Sequence, residues 1–247
     1  MYYLQGNRTN HILIINYHTM KKFFAMVVVC LSTLNIVAQE SSNVFALTKQ
    51  GVVVDYLISA KTGKKVKPVC YGRLTVTDVR GNEAQQTVLY NFEGLNLKKK
   101  PLGGKTNIPQ KISIDNGIMT FESDPLMTAG AYKTSHDGFA FKIPATLHTG
   151  DKIESGTVVE KAKFPMAKEI ENVVKYEDFY VRSEEDIETP SGVFHCFKIE
   201  GTLNGTFQKT PLVMTNYCLW FSPKIGIVKI ETEYYGEVLL LDAIAGM

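Results

Sequence analysis

Short runs of β-branched and aromatic residues, closed by turn signals about every 8–12 residues, constrain this chain more than any other feature. Residues 51–60 are rich in Val, Ile and Tyr. Leu74, Val76 and Val79 lie in a second run, closed by Arg80-Gly81-Asn82. Ile112, Ile114, Ile118 and Phe121 flank Asn116-Gly117. That pair suits a two-residue hairpin, because a type I′ turn needs positive φ at both central positions. A hairpin between residues 111–115 and 118–122 is therefore expected. Residues 193–203 run into Asn204-Gly205, another hairpin candidate. Residues 225–235 and 237–244 flank Gly236 and read as a closing hairpin. Helical patterning is thin. Residues 162–174 have some helical spacing, but Pro165 interrupts it, so one short helix or none is expected. The predicted fold is all-β: a large antiparallel sheet of about ten strands, curled into a partly open barrel with little helix. Curling hides the strand edges that otherwise recruit other chains.

Residues 20–38, MKKFFAMVVVCLSTLNIVA, have the basic, apolar and small-residue order of a secretory signal peptide. The apolar run falls short of the about 20 residues that a stable membrane anchor needs. Cleavage is expected after Ala38, leaving no transmembrane anchor. Residues 1–19 precede a signal that starts at its own methionine, and they read as an extension from a mis-assigned start. Joining residues 11–15 to the later run as one anchor would place Asn16, His18, Lys21 and Lys22 in the membrane. Each charge there costs about 2.5–3.5 kcal/mol. Lipid attachment at Cys30 is disfavoured, because it sits inside the apolar run behind Val29. Residues 39–247 then form a single exported β domain, periplasmic or outer-membrane-associated. It has roughly 210 residues, enough to bury a sizeable core.

Removing residues 1–38 takes away three basic residues and no acid, which leaves a near-neutral chain. Its overall charge gives no case for nucleic acid or for an anionic membrane surface. Lys64-Lys65, Lys98-Lys99-Lys100 and Glu184-Glu185-Asp186 read as solvated loop ends. Cys70, Cys196 and Cys218 remain, with no C-x-x-C spacing for a zinc or redox motif. An odd count leaves at least one thiol unpaired within the chain. Cys196 and Cys218 are a disulfide candidate if a hairpin brings their strands together; the alternative is two buried free thiols. No cofactor or metal is expected. His136, His148 and His195 have no helical i, i+4 spacing with one another.

The last third of the chain carries an ordered series. Glu188-Thr189-Pro190-Ser191-Gly192-Val193-Phe194-His195-Cys196-Phe197-Lys198-Ile199 is followed by Tyr217-Cys218-Leu219-Trp220-Phe221-Ser222-Pro223, then Gly226-Ile227-Val228-Lys229. Ile143-Pro144 and Gly150-Asp151-Lys152-Ile153 precede them in the same order. This series resembles the TapB-like family of exported bacterial proteins, many from gut and oral Bacteroidetes, which carry a domain of unknown function. The resemblance spans roughly residues 140–245, with a weaker echo from about 43. It implies a secreted, mostly antiparallel β fold curled like a barrel. It implies no established reaction and no catalytic residues.

No catalytic constellation emerges from the residues themselves. His195 and Cys196 are adjacent in a strand, so their side chains point to opposite faces and cannot act as base and nucleophile. Asp115, Asp124 and Asp137 lie near Gly or Pro and read as turn residues. Tyr217, Trp220 and Phe221 are candidate ligand-binding residues, lining or capping an apolar interior. The expected function is non-enzymatic: an exported barrel-like protein that binds an apolar or lipid-like molecule in the periplasm or cell envelope. The alternatives are a structural or adhesion-type envelope component without ligand, and a glycan hydrolase. The partner is then an apolar small molecule or an envelope component, with no nucleic acid.

Overall fold

Period-two patterning becomes fourteen strands in the computed structural model, which describes residues 48–82, 84–102, 108–122, 133–163, 169–207, 209–232 and 237–246. The predicted signal segment and start extension lie outside those residues. The strands are β1 (Val53–Thr62), β2 (Lys65–Gly81), β3 (Gln85–Leu95), β4 (Ile108–Asp115), β5 (Ile118–Phe121), β6 (Lys133–Gly138) and β7 (Phe141–Pro144). They continue as β8 (Glu154–Ser155), β9 (Thr157–Lys163), β10 (Ile170–Thr189), β11 (Gly192–Phe207), β12 (Thr210–Ser222), β13 (Gly226–Glu231) and β14 (Glu237–Ala245). No α-helix forms among the described residues. Of the residues in 162–174, 162–163 end β9 and 170–174 begin β10; Pro165 lies outside the described residues.

One antiparallel sheet joins them in the order β6-β9-β10-β11-β12-β13-β14-β1-β2-β3-β4-β5-β7-β8. It curls until the chain around β8 returns to β10. There Gly150 N–H donates to Val181 O at 2.8 Å, Ile153 N–H to Phe179 O at 2.9 Å, and Tyr176 N–H to Gly156 O at 2.8 Å. The result is a partly open barrel joined along a short seam. β10 makes the seam possible by changing partners. Its first residues pair with β9, from Ile170↔Ala162 to Lys175↔Thr157. Its middle residues then bond to segment 150–156. The switch falls at Asp178, whose φ of 55° is left-handed, within a register shift between Glu177 and Tyr180. Aspartate tolerates that conformation better than a β-branched residue. The shift resets the alternation, so that Tyr176 and Phe179 are both buried in the core.

The inward faces pack as a chain of rings across the seam. Phe121 in β5 and Phe141 in β7 lie 4.9 Å apart between centroids. Phe141 meets Tyr176 at 5.8 Å and Phe179 at 6.1 Å, and Phe179 meets Tyr217 of β12 at 5.9 Å. Gly201 in β11 makes room for this packing, since a Cβ there would lie 2.4 Å from the Phe179 ring. Tyr56 keeps its hydroxyl satisfied by donating to Ile227 O at 2.9 Å.

The expected Asn116-Gly117 hairpin is present, with φ of 47° and 78° between paired Asp115 and Ile118. β13 pairs antiparallel with β14, as the expected closing hairpin requires, and its Gly236 lies outside the described residues. Asn204-Gly205 is not a turn. Both residues sit inside β11, paired to β10 on one side and β12 on the other, and the chain reverses after Phe207. Gly205 is needed there because a Cβ would fall 1.8 Å from Val173 O.

Candidate functional site

Strand alternation splits the aromatic trio of β12. Tyr217 and Phe221 point inward and are fully buried. Trp220 belongs to the opposite, outer face. Its indole N–H donates to Glu185 Oε1 at 2.7 Å. Lys229 Nζ lies 4.3 Å and Lys198 Nζ 5.5 Å from the ring centroid. The three residues do not converge on a common cavity: Tyr217 and Phe221 face the interior, and Trp220, itself buried, is roofed on the other face by its cationic neighbours.

The cysteines are likewise held apart. Cys218 stands opposite Glu200, four residues along β11 from Cys196. Four strand residues span about 13 Å, well beyond the Cα separation of a disulfide. Cys196 and Cys218 form no disulfide with each other. Burial pushes the Cys196 thiol up to about 12, helped by Asp186 and Glu185. Burial and the Glu200 charge push Cys218 up to about 11. Both stay protonated at neutral pH and are poor nucleophiles. His195 projects from the other face of β11, with Nδ1 3.1 Å from Asp186 Oδ1 and Nε2 3.4 Å from Glu184 Oε2. Its nitrogens face carboxylates, not a thiol or hydroxyl to activate.

Two features escape a linear reading because they are assembled by register. His136, Glu160 and Asn172 stand side by side across β6, β9 and β10. Asn172 shares its face with Val174 and Tyr176, so this polar row lies on the inward side. Burial holds His136 below its ordinary value, with Lys111 adding to the effect and Glu122 opposing it. An open groove of about 570 Å³ runs along the seam, lined by Lys152, Ile153, Glu154, Ser155, Tyr176, Glu177 and Asp178. Two of its carboxylates are engaged: Glu154 by Lys142 Nζ at 2.6 Å, and Glu177 by the Asn204 amide. Among the described residues no three His, Cys, Asp or Glu side chains gather to hold a metal ion.

The fold has relatives among solved structures. A Bacteroides fragilis protein inferred to be exported, with a YmcC-like fold, superposes with a TM-score of 0.64 at 18% identity; 82% of this chain and 99% of that one are covered. A Parabacteroides distasonis protein inferred to be a lipoprotein gives a TM-score of 0.61 at 15% identity, covering 80% and 96%. No curated protein matches the chain. The DUF3108-like family profile matches residues 49–237, from just ahead of β1 to the start of β14, and this chain belongs to the DUF3108-like family.

Proposed function

We propose that this protein is an exported, non-catalytic component of the bacterial cell envelope, working through its surface and not through a ligand held inside the barrel. The ring chain from Phe121 through Phe141 and Phe179 to Tyr217 carries this reading, since it packs inward-facing side chains of four strands against one another. The protonated thiols and the carboxylate-bound His195 supply no activated nucleophile. The secretory pattern of residues 20–38 supports export, as do the descriptions of the two structural neighbours. Residues 1–19 are then a start extension, and residues 39–247 the exported domain. The finer kinship with TapB-like proteins rests on the motif series from Thr189 to Lys229.

Native mass spectrometry of protein purified from its own envelope tests the reading. A single species of the processed chain is expected, with an amino terminus at or near Gln39. A stoichiometric bound lipid, or a terminus at Met1, would overturn it.

A further inference from the structure

Two lysine runs far apart in the chain lie toward the same end of the sheet, one along the β1–β2 hairpin and one at its base. The β1–β2 hairpin projects past β3: β2 begins at Lys65, but its first partner in β3 is Leu95, opposite Tyr71. Residues 63–69 are all exposed. The connection after β3 folds back against the base of this hairpin. Leu95 bridges Pro101, and Leu102 N–H donates to Gly94 O at 3.0 Å. Lys99 crosses the Tyr71 ring, 4.8 Å from its centroid, to reach Asp55 at 3.2 Å.

Residues 56–72 and 94–102 together hold seven lysines and neither Asp nor Glu. Lys61 pairs with Glu231 and Lys99 with Asp55. Lys64, Lys65, Lys67, Lys98 and Lys100 form no ion pair among the described residues. Large apolar side chains stand among them, with Val66 53%, Val69 55%, Leu97 50% and Leu102 55% exposed. Solvated lysines need no partner. Four exposed Val and Leu side chains interleaved with them gain free energy only when something apolar covers them. Register through Glu200, Cys218, Glu231, Val238 and Ser59 sets this end opposite the β10–β11 hairpin, which carries Glu184, Glu185, Asp186 and Glu188. The charge asymmetry turns the lysine end toward any anionic surface.

We propose that this end docks on an anionic lipid bilayer, with the lysines at the phosphate headgroups and the four apolar side chains in the interfacial layer. A nucleic acid fits less well: the cations are lysines without arginine forks, and Tyr71 is already covered by Lys99. The proposal goes beyond the function proposed above and does not depend on what the barrel interior holds.

Co-sedimentation of the purified protein with phosphatidylcholine vesicles, with and without phosphatidylglycerol, tests it. The neutral vesicles account for any contribution of an apolar amino terminus, which would partition into both. Stronger binding to the anionic vesicles is expected, fading as salt is raised. Each neutralised lysine should weaken that binding about fivefold. K64Q/K65Q/K67Q should then cost on the order of a hundredfold, and K98Q/K100Q on the order of twentyfold. The two sets lie on separate segments, and unchanged melting curves confirm that each variant is folded. Equal binding to neutral and anionic vesicles would overturn the proposal. So would anionic binding that survives both lysine variants, or a DNA duplex bound as tightly as the anionic vesicles.

Discussion

Replacing Gly201 by alanine tests the packed interior most directly. By strand propensity alone the change should help, since glycine inside a strand costs about 0.5–1 kcal/mol relative to alanine. Packing predicts the opposite sign. The new Cβ would lie 2.4–2.5 Å from three atoms of the Phe179 ring. Ordinary carbon contacts are about 3.5–4.0 Å, so the ring must retreat by about 1 Å. It has nowhere to go: Phe179 is fully buried, with the rings of Phe141, Tyr176 and Tyr217 around it at 6.1, 6.1 and 5.9 Å. Overpacking of this kind costs about 1–3 kcal/mol. For a domain of this size that lowers Tm by about 2–4 °C per kcal/mol.

A double-mutant cycle separates the clash from any general fault in β11. Phe179→Ala alone should cost about 3–5 kcal/mol. With the ring gone, Gly201→Ala has nothing to strike, so the double variant should be no worse than F179A. The coupling is then about 1–3 kcal/mol in the favourable direction, outside the roughly 0.5 kcal/mol expected of independent sites. Urea unfolding followed by emission of Trp220, the one tryptophan in the chain, reads all four corners of the cycle. A stabilised G201A, or single effects that simply add, would refute the argument that the rings fill the barrel.

Three further outcomes follow from local geometry. Gly117→Val forces a β-branched residue to a φ of 78° and should destabilise by about 1 kcal/mol or more in thermal melting, whereas an unchanged curve would remove the turn argument. Cys196 and Cys218 should resist alkylation at pH 7 in the folded protein and react once it is unfolded; because their pKa values are raised on folding, their stabilising contribution holds below about pH 8.5 and is lost as pH climbs toward 11 and 12. For Asp55, burial works to raise the pKa, but hydrogen bonds from Arg73 and Lys99 outweigh it and hold the carboxyl low. Its contribution is therefore present above about pH 4 and is lost on acidification, and Asp55→Asn should cost about 1–3 kcal/mol at pH 7 and flatten the acid limb of the stability profile.

The strands and their tight turns are written locally, and so were legible. Asn116-Gly117 needs no distant partner to favour a left-handed pair, and Thr189-Pro190-Ser191-Gly192 turns the chain through its own hydroxyl, which accepts from Ser191 N–H and donates to Gly192 O. Asn204-Gly205 misled because the same two residues serve a close approach between strand backbones, and only the pairing partners distinguish that use from a turn. Register was beyond reach for the same reason. A one-residue difference decides whether Trp220 or Phe221 faces the interior, and the bulge between Glu177 and Tyr180 resets that choice partway along β10. The row His136, Glu160, Asn172 is a product of register too: each member reads as an ordinary polar residue until three strands set them side by side. The two lysine runs come to one end of the sheet only once the β1–β2 hairpin and the connection after β3 are placed.

The partner switch in β10 links stability to the placement of function. A large antiparallel sheet has two edges to protect. One edge ends in β8, only two residues long, and the chain on either side of it bonds to β10. That closure depends on the left-handed Asp178 and on Phe179 turning inward against Gly201. The inner-face rings of Phe141, Tyr176, Phe179 and Tyr217 thereby pack against one another across the curl. On the outer wall, Arg182 of β10 pairs with Glu200 of β11, and Lys198–Glu200 and Lys229–Glu231 pair along single strands. Unmatched charge and exposed apolar area coincide where β1 and β2 outrun β3, because strands of unequal length leave backbone and side chains there that the sheet does not cover.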